Sequence, residues 1–258
     1  MNKRKQLARA FRYLGIALLI ILLGGAIAFK IYTSNYYRPN RKVIASIEKS
    51  LGDQVHAYKD EQGMVFIPQG QEVKAVIVFY PGGKVDYTSY SGFMYELSAK
   101  GYLCLLPRMP ENLAFLQINA VDEIKKNYPE ETESMEDVDW YLAGHSLGGV
   151  AATTYLYDHQ GEYAGMILCA SYPTKDFTDS NVSFLSIRGS EDDVLNMRSY
   201  GQSKRQWPDD ATEYVIDGGI HSYFGSYGIQ DGDGKPTISN EEQLEIAADV
   251  IDGWIQDR

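Results

Sequence analysis

Cysteine is scarce, 2 in 258 residues, and no closely spaced Cys/His cluster occurs, which excludes a disulfide scaffold and a structural zinc module. Proline is also sparse, 9 against 24 glycines, in a chain with 44% hydrophobic and 23% charged residues. Disordered, collagen-like and low-complexity classes are therefore excluded, and enough apolar material exists for a sizeable core. Basic side chains are outnumbered, giving a formal charge of -11 that opposes nucleic acid binding, because phosphate contacts need a basic surface. With only 4 histidines, any search for a general base is short. The length suits one large domain with a short appendage.

The acid excess is uneven. Lys3, Arg4, Lys5, Arg9 and Arg12 fall in the first twelve positions with no acid among them, leaving 19 basic against 35 acidic side chains in the remainder. Positions 13–29 then hold 17 uncharged residues. As a helix this run reaches about 25 Å, close to a hydrocarbon core of about 30 Å. Cations before it and Tyr32, Tyr36 and Tyr37 after it fit a signal-anchor over 13–31. The basic segment 1–12 would be cytoplasmic, with Lys30 snorkelling to the far interface and the remaining chain outside. The rival is secretion after cleavage near Ala28, since Ala26-Ile27-Ala28 is an A-x-A site following an apolar run. Both export the domain; a buried core helix has no use for cations clustered at one end. The uncleaved anchor is the preferred reading.

Residues 38–52 read as an amphipathic helix with Val43, Ile44, Ile47 and Leu51 on one side, giving a juxtamembrane helix or linker over 32–52 ahead of a domain at 53–258. Residues 55–58 and 64–68 form an expected edge hairpin. Strand-length apolar runs follow at 75–80, 102–106, 140–143, 165–170, 183–188 and 213–216, alternating with helical patterns at 90–100, 113–126 and 147–159. Such βαβ order predicts an α/β fold, a mostly parallel sheet with helices on both faces. A last helix starts at the capping sequence Ser239-Asn240-Glu241-Glu242 and lines one face with Leu244, Ala247, Val250, Ile251, Trp254 and Ile255.

Gly144-His145-Ser146-Leu147-Gly148 is a G-x-S-x-G between a short apolar run and a helical pattern. The letters alone are weak in a glycine-rich chain, but the placement at a strand-to-helix turn is specific. A turn this tight strains the serine backbone, and the two glycines remove side chains that would collide across it. The hydroxyl still needs a base to take its proton. His145 lies inside the elbow with its side chain expected to point away from that of the serine, His56 is in the hairpin, and His159 ends the following helix. His221 follows the last strand and Asp217-Gly218-Gly219, at the carboxyl end of the sheet where α/β sites form. The base in turn needs a carboxylate to hold its tautomer. Glu191, Asp192 and Asp193 compete after the strand at 183–188, with Asp192 preferred, then Asp193. The order Ser146, Asp192, His221 is that of the α/β-hydrolase class. For the oxyanion, Leu147 N–H is one candidate donor and Gly83, in Pro81-Gly82-Gly83-Lys84, the second.

Taken together, YPGGKVD (80–86), MPENLAFL (109–116), GHSLGG (144–149), GSEDDV (189–194) and GGIHSYFGSYGIQDGDG (218–234) resemble a bacterial α/β-hydrolase family of the dienelactone-hydrolase-like type, over residues 64–258. The resemblance implies a triad of Ser146, Asp192 and His221 and an oxyanion hole of Gly83 and Leu147. Dienelactone hydrolase itself uses a cysteine nucleophile where this chain has serine, so a butenolide-type substrate does not carry over.

Asp231-Gly232-Asp233-Gly234 lacks the further acids of a calcium loop and reads as a turn. Cys104 and Cys169 fall on expected strands separated by two others, about 14 Å apart, too far for a disulfide. Only about a dozen residues separate the runs ending at 170 and starting at 183, too few for a large cap domain. The expectation is an exported, membrane-anchored serine hydrolase that cleaves a small-molecule or lipid ester through an acyl-enzyme, without a cofactor. The alternatives are an acyltransferase or peptidase on the same residues and a non-catalytic binding or scaffold protein of the same fold.

Overall fold

A computed structural model describes residues 3–135 and 137–258, in two compact units that divide between Tyr36 and Tyr37. The first unit is one helix, α1 (Lys3–Ser34). Its stretch Phe11–Ser34 has 24 residues and a mean hydropathy of 2.5, long and apolar enough to cross a membrane. That is three residues longer at the carboxyl end than the expected span over 13–31. Of the expected basic segment 1–12, positions 1 and 2 lie outside the described residues.

The second unit opens with α2 (Arg41–Leu51), capped by the Asn40 side chain, which accepts a hydrogen bond from Lys42 N–H. Two strands follow, β1 (Val55–Lys59) and β2 (Gly63–Pro68), then β3 (Ala75–Tyr80), α3 (Ser91–Ala99), β4 (Tyr102–Pro107), α4 (Ala120–Asn127), α5 (Pro129–Thr132) and β5 (Trp140–His145). The chain continues through α6 (Leu147–Asp158), β6 (Gly165–Cys169), β7 (Ser183–Gly189), α7 (Met197–Ser203), β8 (Thr212–Ile216) and α8 (Asn240–Gln256). The eight strands form one sheet in the order β1-β2-β4-β3-β5-β6-β7-β8. The β1–β2 and β2–β4 pairs are antiparallel and all others parallel.

Alternation along β3 splits the core. Ala75, Ile77 and Phe79 face the layer that holds α2, α3 and α8, while Val76, Val78 and Tyr80 face the layer of α4 and α6. Cys104 and Cys169 sit on β4 and β6 with β3 and β5 between them, and both are free and buried. The segment between β6 and β7 contains no helix, so no large cap is inserted there.

Two expectations change. The helix expected over 113–126 begins only at Ala120, as α4; a 3₁₀ turn at Ala114–Leu116 replaces its first part and another at Pro110–Asn112 precedes it. Glu111 and Asn112 are both left-handed and Leu113 is extended, so an α-helix cannot start there, and Phe115 and Leu116 are left exposed. The juxtamembrane helix or linker expected over 32–52 forms the helix α2, which belongs to the second unit, so that unit begins before the expected position 53: Ile47 is buried and the helix packs on α3 and α8.

Candidate active site

The carboxyl ends of the parallel strands bring the expected residues to one rim of the sheet. Ser146 follows β5 directly, with φ 51° and ψ -123°, a conformation costing of order 1–3 kcal/mol that persists only where surroundings over-determine it. Here they do. Ser146 N–H donates to the Cys169 carbonyl at 3.0 Å, and its own carbonyl accepts from Gly149 N–H at 3.1 Å and from Ser171 Oγ at 2.7 Å. Gly148 is needed for a steric reason, since a Cβ there would overlap the Tyr80 and Pro81 carbonyls. The serine is part-exposed and stands at the N-cap of α6, whose Gly148, Gly149, Ala151 and Ala152 are buried.

Beyond β8, His221 begins a 3₁₀ turn (His221–Phe224) and is 2% exposed. Its Nδ1 lies 2.9 Å from Asp192 Oδ2, with both side chains buried. Of the three competing acids, Asp192 is the buried one; Glu191 and Asp193 are exposed. The other oxygen of Asp192, Oδ1, accepts from Val194 N–H at 3.0 Å and Leu195 N–H at 2.8 Å, which locks the carboxylate toward the ring. Among the described residues no hydrogen bond joins Ser146 Oγ to His221. Such contacts in unliganded enzymes are commonly long and tighten when substrate binds.

The 81–84 loop after β3 lies against the start of α6, close enough that a Cβ on Gly83 would touch Leu147 Cδ2. Among the described residues, the N–H groups of Gly83 and Leu147 make no hydrogen bond, whereas those of Gly82 and Lys84 do, to Tyr90 Oη and the Asn112 carbonyl. Two unengaged donors beside a strained serine can hold an oxygen that gains negative charge. Exposed apolar side chains follow the carboxyl ends of four strands: Phe115 and Leu116 after β4, Leu147 after β5, Met197 after β7 and Ile229 after β8.

Several supports of this rim were not found in the sequence. Gln243, fully buried on α8, clamps the loop before His221: its Oε1 accepts from Ile220 N–H at 2.9 Å and its Nε2 donates to the Ile220 carbonyl at 2.8 Å. Its signal was a polar residue at i, i+4 spacing with Ala247 and Ile251 on the apolar face. Asp233, inside the expected turn at 231–234, accepts from His221 N–H at 3.2 Å, Ser222 N–H at 2.8 Å and Ser222 Oγ at 2.6 Å, which fixes the start of that 3₁₀ turn. His145 is also part of this region, with its ring centroid 4.6 Å from that of His221.

Residues 76–245 match the model of a family described as the alpha/beta hydrolase family. The chain belongs to the alpha/beta hydrolase family. No curated protein matches it. For this alpha/beta hydrolase, the match spans β3 to the first turns of α8 and so takes in the elbow, the three acids and His221. Membership supports a hydrolase-type function on a small-molecule substrate.

Proposed function

We propose that this alpha/beta hydrolase is a serine hydrolase that cleaves a carboxylic ester carrying an apolar acyl group. The observation that carries the reading is the buried Asp192–His221 pair, at 2.9 Å, on the same rim as the strained, part-exposed Ser146 and two unengaged N–H groups. His221 takes the proton of Ser146 as its Oγ attacks the ester carbonyl, and the Leu147 and Gly83 N–H groups hold the oxyanion. Collapse expels the alcohol, protonated by His221, and water activated by the same imidazole then releases the acid from the acyl-enzyme. Asp192 holds the tautomer and stabilises the imidazolium throughout. The exposed Phe115, Leu116, Leu147, Met197 and Ile229 supply apolar surface for the acyl chain.

The Phe11–Ser34 helix is assigned as an uncleaved anchor, with the N-terminus cytoplasmic and the second unit, residues 37–258, outside the membrane as the hydrolase domain. Retention of the full chain in the membrane fraction after alkaline washing tests the anchor, and appearance of a chain shortened near position 28 in the medium rejects it. The activity is tested with a fluorophosphonate probe and an ester panel of varied acyl length. Labelling and turnover that vanish in Ser146→Ala are expected, with preference for longer acyl chains. A folded wild-type protein that neither labels nor turns over any ester is a binding protein instead.

A further inference from the structure

The imidazole that precedes the nucleophile occupies an unusual place. His145 ends β5 with its side chain buried, 1% exposed, between Tyr90 and the two residues His221 and Phe224. Gly82 N–H donates to Tyr90 Oη at 3.0 Å, and Tyr90 Oη lies 2.9 Å from His145 Nδ1. Among the described residues His145 Nδ1 is the one acceptor within hydrogen-bond reach of the buried Tyr90 O–H, so the phenol donates to Nδ1 and the imidazole proton lies on Nε2. That Nε2 is sealed from solvent without a hydrogen bond of good geometry. A continuous path therefore runs from the loop that carries Gly83, through a phenol and an imidazole, to the ring of His221.

Resting on the serine-hydrolase reading above, we infer that His145 is a positioning residue: held by Tyr90 as a neutral imidazole, it backs the His221 ring and ties it to the 81–84 loop, so that base and oxyanion donor keep one relative geometry. Electrostatics suit the role. Burial, then the neighbouring His221, hold His145 well below the ordinary imidazole range, and the backbone of His221 offsets only part of this. Burial likewise raises the Tyr90 phenol. Both groups thus stay neutral while His221 cycles through its cation, and no second charge forms against it. Space is tight at the loop end, where a Cβ on Gly82 would come within 2.7 Å of Tyr90 Oη and 2.8 Å of His145 Nδ1.

The test uses the full chain in detergent, with active sites titrated by fluorophosphonate and steady-state rates measured on one good ester substrate. Tyr90→Phe removes the linking O–H and His145→Phe removes the acceptor. Each is expected to lower kcat per titrated site by about 10- to 100-fold with KM within about threefold, because misplaced groups cost transition-state rather than ground-state binding. His145→Asn places an acceptor oxygen where Nδ1 was and is expected to recover at least half of the loss on a logarithmic scale. Gly82→Ala strains the same path from the loop side without deleting a buried ring, and is expected to show the same kcat-only loss should His145→Phe fail to fold. The inference is overturned if kcat per titrated site stays within about twofold of wild type in the folded variants, if the loss falls on KM alone, or if Asn is no better than Phe. Turnover surviving in Ser146→Ala overturns the hydrolase reading instead, which separates the two failures.

Discussion

Left-handed backbone occurs at both ends of the parallel sheet, but different residues bear it. Before β3 and β4, at their amino ends, the positions are glycines, Gly70 with φ 73° and Gly101 with φ 104°. After β3, β4, β5 and β6, at their carboxyl ends, they are Lys84, Glu111, Asn112, Ser146 and Ala170, with φ from 47° to 59°, and after β8 they are again glycines, Gly218, Gly228 and Gly232. Without a Cβ a glycine turns this way at little steric cost, whereas an ordinary L-residue pays about 1–2 kcal/mol. The difference teaches that the amino-end turns take glycine at little steric cost, while the turns after β3 to β6 keep side chains at an energetic cost on the loops around Ser146. Strain at Ser146 is tolerated because Cys169, Gly149 and Ser171 hold its backbone from three directions.

The largest expected effect separates two neighbouring acids at the carboxyl end. Asp192→Asn is expected to lower kcat about 10⁴-fold by losing the charge and tautomer control behind His221, while the exposed Asp193 tolerates the same change within about twofold. Equal losses in the two variants, measured by ester turnover, would remove Asp192 from its assigned role.

A smaller effect sets the two ends directly against each other. Ser146→Gly is expected to raise the unfolding free energy by about 1 kcal/mol while abolishing turnover, because glycine relaxes the strained φ. Gly101→Ala at the amino end is expected to lower it by about 1–2 kcal/mol with turnover retained. Urea denaturation reads both, and destabilisation by Ser146→Gly would show that the elbow is not strained.

The smallest effect lies on the scaffold away from the rim. Burial, with Glu245 and Asp249 nearby, pushes the Glu96 carboxyl on α3 up to about 6. Its folded pKa being raised above the ordinary 4.5, its contribution to stability is full below pH 4.5 and is lost as pH rises through about 6. Glu96→Gln therefore removes a penalty present only at higher pH. After allowance for solvent screening, a gain in Tm of about 1–3 °C at pH 8 and none at pH 4 is expected, and equal gains at both values would refute the assignment.

Read from its residues, the chain already carries the order of strands and helices, the capped last helix, the apolar amino-terminal span and the strand-to-helix turn at Ser146. These are local properties: period, run length, capping side chains and glycine spacing act between residues a few positions apart. The break at 111–113 escaped that reading because the apolar spacing of 113–126 is helical, and only the left-handed backbone at Glu111 and Asn112 stops an α-helix from starting. The amphipathic helix expected over 38–52 is present as α2, but such a helix does not disclose which surface covers it, and α3 and α8 do so here.

What the tertiary structure alone decided is which distant groups meet. Which of Glu191, Asp192 and Asp193 faces His221, that Gln243 and Asp233 hold the histidine loop, and that Tyr90 reaches His145 all depend on contacts between residues 11 to 55 positions apart. Sequence pattern fixes what each segment can become, because backbone propensity and hydrophobic period are set by near neighbours. The partner of a buried polar group is set by the packing of the sheet and its helices, where a hydrogen bond must be found within the fold or its desolvation cost is left standing.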